Sequence, residues 1–211
     1  KQPYNRGLLQ EVVRKGIRLV DYEYLTNSEG IRVVAFGRWA GVVGAYNGLR
    51  AFGKRQEALE GKGFDLKPAH ACFDMRELQK QLLDADPDRS RILVTGGGRV
   101  AGGAVEILKS AGIREVSPGD YLKLEYPHGV FTRLDPWHYT RLKSSQEAQS
   151  AVEFDFGHFV DHPEAYENAI LHYARRTNIF IACHFWDPKS PHMLTREDLA
   201  SEDIPVRLIA D

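Results

Sequence analysis

The apolar positions change period along the chain, and the changes mark elements. In "GLLQEVVRK", residues 7 to 15, Leu8, Leu9, Val12 and Val13 share one helical face, and Gly16 ends the helix. "IRLVDYEYL" and "RVVAFG" read as strands parted by the turn residues of "TNSEG". This opening stretch reads as the remnant of a second α/β unit. From Arg38 to about Arg55 a small-residue pattern with helical period follows, in which Gly41, Gly44 and Gly48 each lower helix propensity by up to about 1 kcal/mol relative to Ala. Close packing against another element would compensate.

Further on, "KGFDLKPAHACFD" is a loop and "MRELQKQLLDA" a short amphipathic helix, with a turn at Asp86 to Ser90. "RILVT" is an apolar strand, "RVAGGAVEILKS" has helical spacing, and "REV" is a second short strand ending at Ser117-Pro118. After Pro118 the pattern predicts irregular chain, a strand at Val130 to Leu134 and a polar loop at Lys143 to Ser150. "HPEAYENAILHYARRT", His162 to Thr177, predicts a helix with Pro163 in its first turn. "NIFIACHFW" is apolar without alternation, as a parallel strand covered on both faces requires. Thr195 with Asp198 predicts a helix cap, and "PVRLIAD" a last strand. Strands alternating with helices after residue 90 predict an α/β fold, a Rossmann-like doubly wound parallel sheet.

Composition narrows the function classes. The 211 residues carry 28 basic and 29 acidic side chains, a net charge of -1, so there is no electrostatic footprint for nucleic acid or an anionic membrane. Cys72 and Cys183 stand far apart with no metal-ligand spacing around either, which favours a reducing, cytoplasmic setting over a disulfide scaffold. No apolar run approaches the ~20 residues of a membrane helix. The chain begins at Lys1 and stops just after an apolar run, so a segment of a longer protein is expected.

The chemistry-bearing motif is "LVTGGGRVAGGA". G-x-G-x-x-A falls on Gly96, Gly98 and Ala101, after a strand and before a helix. The first glycine permits a tight turn, the second lets backbone approach a pyrophosphate, and the small third residue lets helix and strand pack. Helix-start amides then face the anion. A Walker A loop is excluded by the missing Gly-Lys-Ser/Thr ending; a methyl-donor site also uses a glycine turn after a first strand. An acidic residue about twenty positions on usually holds the ribose. Asp120 has that spacing but follows Pro118-Gly119, and Ser117 is the other candidate, which leaves NAD versus NADP open.

Four separated blocks, "RVVAFGRWAGVVGAYNGLRAFG", "FDLKPAHACFD", "LVTGGGRVAGGAVEILKSAGIREV" and "IACHFWDPKSPHMLTREDL", resemble the lysine-forming saccharopine dehydrogenase branch of the alanine dehydrogenase and transhydrogenase superfamily. The resemblance spans nearly the whole chain. It implies residues 1–36 as the tail of a substrate domain, 37–60 as a bridging helix and 61–211 as most of a Rossmann-like dinucleotide domain. It also implies NAD-dependent oxidation of a secondary amine, followed by hydrolysis to an amino acid and a 2-oxo acid. Homo-oligomers are compatible with it. Gly96, Gly97, Gly98, Arg99, Val100 and Ala101 carry over as the pyrophosphate turn, and His184, Phe185 and Trp186 as the border of the nicotinamide. Arg32 and His70 are candidate substrate contacts. Similar proteins carry a His-x-x-Lys acid/base element upstream of the stretch resembling "KQPYN", so no catalytic acid or base is identified in these residues. An alanine dehydrogenase-like enzyme and a non-catalytic nucleotide-binding regulatory module are the alternatives.

The remaining features read more plainly. His158 and His162 have helical metal-ligand spacing, but Gly157, Pro163 and the lack of a third ligand favour a surface loop and no metal. Asp84, Asp86 and Asp88 lack the glycine and distal Glu of a calcium loop. Trp39, Trp137 and Trp186 are expected in a core or an interface.

Overall fold

The structure is a computed structural model that describes residues 3–83, 85, 90–123, 128–143 and 154–211. Backbone contacts divide it into two compact units, one ending at Phe36 and the other Gly37–Asp211.

In the first unit the expected helix forms as α1 (Arg6–Arg14), with Arg14 paired to Glu11. The two expected strands do not form. Tyr22–Tyr24 is a 3-10 turn capped by Asp21, and the only pairing among the described residues here is one antiparallel bridge, Thr26 to Arg32. Asn27 Oδ1 organises the intervening turn by accepting the Glu29 and Ile31 amides. A strand needs a paired neighbour for its backbone polar groups, and among the described residues of this unit nothing offers a ladder. Ile17, Leu19 and Val20, which would face a sheet, are exposed.

The second unit starts with the long helix α2 (Gly37–Glu60) and, after a loop, α3 (Met75–Leu82), which Asp74 caps through the Glu77 amide. β1 (Arg91–Thr95), α4 (Arg99–Ser110) and β2 (Arg114–Glu115) follow the expected order. The chain continues through α5 (Pro118–Leu122), β3 (Val130–Leu134), α6 (Pro136–Tyr139) and β4 (Thr140–Leu142). Last come α7 (Phe156–Asp161), β5 (Tyr166–Asn168), α8 (Leu171–Ala174), β6 (Ile179–Ala182), α9 (Arg196–Ala200) and β7 (Leu208–Ala210).

Five strands form one sheet in the order β2-β3-β1-β6-β7, and every pairing is parallel. Side chains alternate between two cores. Ile92, Val94, Phe131 and Ile181 pack with α2 and α4, while Leu93, Val130, Leu134 and Phe180 pack with Tyr121 of α5 and Tyr173 of α8. The sheet is therefore covered on both faces and doubly wound, as the unalternating apolar strands predict. One departure matters below. Dinucleotide-binding domains usually run 3-2-1-4-5, with the second strand beside the first. Here β3 lies beside β1, and β2 is displaced to the edge.

The glycines of α2 are explained by α4. A Cβ on Gly41 would lie 1.8 Å from the Val100 carbonyl oxygen, and one on Gly103 would lie 2.0 Å from that of Arg38. The two helix backbones touch through this reciprocal pair. Gly48 faces Ala210 of β7, whereas a Cβ on Gly44 would meet nothing within 4 Å.

Several expectations need correction. The helix expected over His162 to Thr177 is broken into a 3-10 turn (Pro163–Ala165), β5 and α8. β5 pairs antiparallel with β4, and the Asn168 side chain donates to the carbonyls of His192 and Met193, so tertiary bonds outweigh helical periodicity. His158, expected in a loop, sits in α7, whose N-terminus Asp155 caps by accepting the His158 amide. Pro118 opens the short helix α5 instead of irregular chain. Of the two places expected for Trp39, Trp137 and Trp186, the core does not apply, since all three are about half exposed. The turn at Asp86 to Ser90, the loop at Lys143 to Ser150 and the aspartates at 84, 86 and 88 lie wholly or largely outside the described residues. No helix is long and apolar enough to cross a membrane, and no cluster of three metal-ligating side chains occurs, among the described residues.

Candidate functional site

The site lies where β3, β1 and β6 end side by side. β1 passes into Gly96 at φ +109°, a left-handed conformation that favours glycine, and its amide donates to the Leu134 carbonyl of β3 at 2.8 Å. A Cβ at Gly96 would stand 2.4 Å from the Cys183 carbonyl oxygen. The turn is thus wedged between the ends of both neighbouring strands. At Gly97 a Cβ would meet the Asp135 carboxylate, Oδ1, at 2.7 Å. At Gly98 it would meet nothing within 4 Å, so this backbone faces open space. Gly98 is also the N-cap of α4, and Arg99 and Val100 form that helix's first turn. Ala101 is fully buried against the sheet, as its place in the motif requires.

A cavity of about 560 Å³ opens in front of this turn, lined by Gly96, Gly97 and Gly98 after β1, Asp135 and Tyr139 after β3, and His184 after β6, with Phe185 and Cys183 beside it. The direction in which strands are added reverses about β1, since β2 and β3 lie on one side and β6 and β7 on the other. The crevice at such a reversal, at the carboxyl ends of parallel strands, is where open α/β sheets bind ligands.

His184 is fixed by three neighbours. Its Nδ1 lies 2.7 Å from Thr95 Oγ1, its ring stacks on Phe180 at 9° between planes, and Tyr139 leans on it at 5.6 Å. Burial pushes its imidazole below the ordinary value, with Asp211 pulling weakly the other way, so the ring is neutral at pH 7. Burial, with Asp211, pushes the Cys183 thiol up to about 11. The Tyr139 hydroxyl is raised by burial and by the nearby Asp135 carboxylate.

The structure brings only some of the expected residues together. Gly96, Gly97, Gly98, His184 and Phe185 share the cavity wall. Trp186 lines an adjoining cavity of about 360 Å³ that also includes His184, and stacks on His192 there. Ser117 and Asp120 are not among the described lining residues. They sit beyond the edge strand β2 and satisfy each other, Ser117 Oγ donating to Asp120 Oδ2 at 2.7 Å, and Lys123 Nζ pairs with Asp120 at 2.7 Å. Lys123 and Ser117 hold that carboxyl below the usual carboxylate range. Arg32, in the first unit, pairs with Glu23, and His70 is exposed in the 3-10 turn Ala69–Ala71. Asp135 and Tyr139 are the residues that sequence reasoning missed. Their signal was an acid placed directly after a strand in "RLDPW".

No family profile matches the chain. Among curated proteins, it is 31% identical to bovine (Bos taurus) alpha-aminoadipic semialdehyde synthase, mitochondrial, over 95% of this chain and 23% of that protein. The Arabidopsis thaliana alpha-aminoadipic semialdehyde synthase is 26% identical over 100% of this chain and 22% of its own length. Saccharopine dehydrogenase [NAD(+), L-lysine-forming] of Neurospora crassa is 25% identical over 97% of this chain and 46% of that enzyme. The chain thus spans about a quarter of the synthases and under half of the dehydrogenase. Over nearly all of its length, then, the chain is similar to part of the alpha-aminoadipic semialdehyde synthases and of the lysine-forming saccharopine dehydrogenases.

Proposed function

We propose that Gly37–Asp211 binds NAD(H) and serves as the nucleotide-binding part of an oxidoreductase of saccharopine dehydrogenase type, acting on a secondary amine that yields an amino acid and a 2-oxo acid. The observation that carries this reading is the cavity in front of Gly96–Gly98, bounded by the ends of three parallel strands. Its volume lies in the range of small-molecule sites. The names of the fungal relatives support the cofactor class.

The residues present fit the group. Gly98 leaves backbone open where a pyrophosphate would come closest, and the first amides of α4 add the positive end of a helix dipole. His184, neutral and tied to Thr95, together with Phe185 would border the nicotinamide, which supplies hydride transfer when bound. The buried Tyr139 ring and the half-exposed Phe185 ring add apolar surface to that end.

Fluorescence titration of the 211-residue chain with NADH and NADPH tests the reading, with Gly98→Ala as the control on the site. Gly98 is extended, at φ -89° and ψ -169°, and has free space around it, so alanine leaves stability within about 0.5 kcal/mol of the parent. The same methyl group intrudes on the pyrophosphate and weakens NADH binding at least tenfold. Absence of binding at millimolar nucleotide, or undiminished binding by Gly98→Ala, contradicts the reading.

A further inference from the structure

The geometry points to Asp135, at the carboxyl end of β3, as the residue that holds the adenosine ribose diol and selects NAD(H) against NADP(H), in place of Ser117 or Asp120. This rests on the dinucleotide reading above and goes beyond it by assigning nucleotide choice to one side chain.

The argument starts from the sheet order. A ribose-binding acid works because it ends the strand next to β1, within reach of a nucleotide whose pyrophosphate sits on the β1 turn. Spacing along the sequence is only a proxy for that position, valid when the second strand is the neighbour of the first. Here the neighbour is β3, in register from Arg91 opposite Val130 to Thr95 opposite Leu134. Asp135 is the next residue, level with Gly96. Ser117 and Asp120 follow β2, one strand further out.

Three local facts place the carboxylate at the site. Its Oδ1 stands 2.7 Å from where a Cβ on Gly97 would be, so the carboxylate lies directly against the middle residue of the turn and a side chain there would have to displace it. Its Oδ2 lies 3.4 Å from Arg133 Nη2, and the side chain is 18% exposed, which holds the group in one orientation. It lines the same cavity as Gly96–Gly98, on the side opposite His184. A dinucleotide crossing β1 would therefore have its adenosine ribose at the β3 end and its nicotinamide at the β6 end.

The chemistry follows from the atoms. A carboxylate accepts hydrogen bonds from both hydroxyls of a 2′,3′-diol. A 2′-phosphate removes one donor and brings a like charge against a largely buried anion, which is unfavourable on both counts.

The test measures affinities of the 211-residue chain for NADH and NADPH by fluorescence, in the parent, Asp135→Asn, Asp135→Ala and the double variant Ser117→Ala/Asp120→Asn, with circular dichroism confirming folding. The parent is expected to prefer NADH. Both Asp135 variants are expected to lose NADH affinity about tenfold or more while NADPH affinity holds or rises, since a charged hydrogen bond is lost in one case and a repulsion in the other. Asp135→Asn keeps the shape of the side chain and so guards against misfolding of the alanine variant. The double variant is expected to keep the parent's ratio. If the parent binds NADH but its preference over NADPH survives both Asp135 substitutions, or shifts in the Ser117/Asp120 variant, the assignment is overturned and the dinucleotide reading stands. If the folded parent binds neither nucleotide, the dinucleotide reading fails and takes the assignment with it.

Discussion

Substituting alanine for Gly41 adds one methyl group to the face of α2 that meets α4. On propensity alone it stabilises the helix by about 1 kcal/mol. In place, the new carbon falls 1.8 Å from the Val100 carbonyl oxygen and 2.9 Å from the Ala104 nitrogen. Both are backbone atoms of α4, so no rotamer relieves the overlap. The helices must part by roughly 1.5 Å to restore an ordinary C···O contact. Overpacking of this kind costs about 1–3 kcal/mol, occasionally more, and here the whole helix interface is pried open, so the upper part of the range applies and outweighs the propensity gain. The expected net loss is about 2 kcal/mol, which for a chain of this length lowers Tm by about 4–8 °C. Gly44→Ala, three residues away, makes the same chemical change where nothing lies within 4 Å, and should raise Tm by about 2–4 °C. Thermal unfolding followed by tryptophan fluorescence reads the correct unit, because Trp39, Trp137 and Trp186 all lie beyond Phe36. A Gly41→Ala variant melting at or above the parent, or a Gly44→Ala variant melting below it, refutes the packing argument.

Two further predictions concern titration. His184 and His172 are both pushed below the ordinary imidazole value chiefly by burial, with Arg141 and Arg175 adding to the effect at His172. Below about pH 6.5 the unfolded chain takes up protons that the folded chain resists, so stability is full above that pH and declines as the pH falls. Tm should drop between pH 7 and pH 5, and drop less in His172→Gln/His184→Gln; equal slopes would show that the burial is misjudged. In Cys72→Ser the remaining thiol, Cys183, raised to about 11, should react with iodoacetamide at pH 8 roughly tenfold or more slowly than free cysteine, its scarce thiolate being partly offset by higher nucleophilicity. A rate matching free cysteine rules out the buried placement.

The β1 turn was legible because its requirements are local. A strand, a left-handed glycine, an open glycine and a small buried residue fall within "VTGGGRVA", and the structure uses each in that role. β3, the Thr195–Asp198 capping box and the apolar β6 were legible for the same reason. What sequence reasoning could not supply was adjacency. Asp120 has the customary spacing, yet the order of strands in a sheet is fixed by non-local packing, and it is Asp135 that ends beside the turn. Likewise, the stretch His162 to Thr177, with Pro163 in its first turn, suggested a long helix. Only the pairing of β4 with β5 and the two bonds from Asn168 explain why it is cut short. The strands expected before Phe36 failed on the same ground, since apolar runs predict burial but not the partner that provides it.

The displaced strand has one more consequence. β2 is two residues long, and both, Arg114 and Glu115, are exposed and charged, with Glu115 tied at 2.7 Å to Lys109 of α4. An edge so short and so strongly hydrated is a poor template for a further strand. On this side the sheet is closed to growth, so two copies cannot readily polymerise by adding strand to strand here, and the chain gains protection from aggregation at the boundary where its order departs from the usual one.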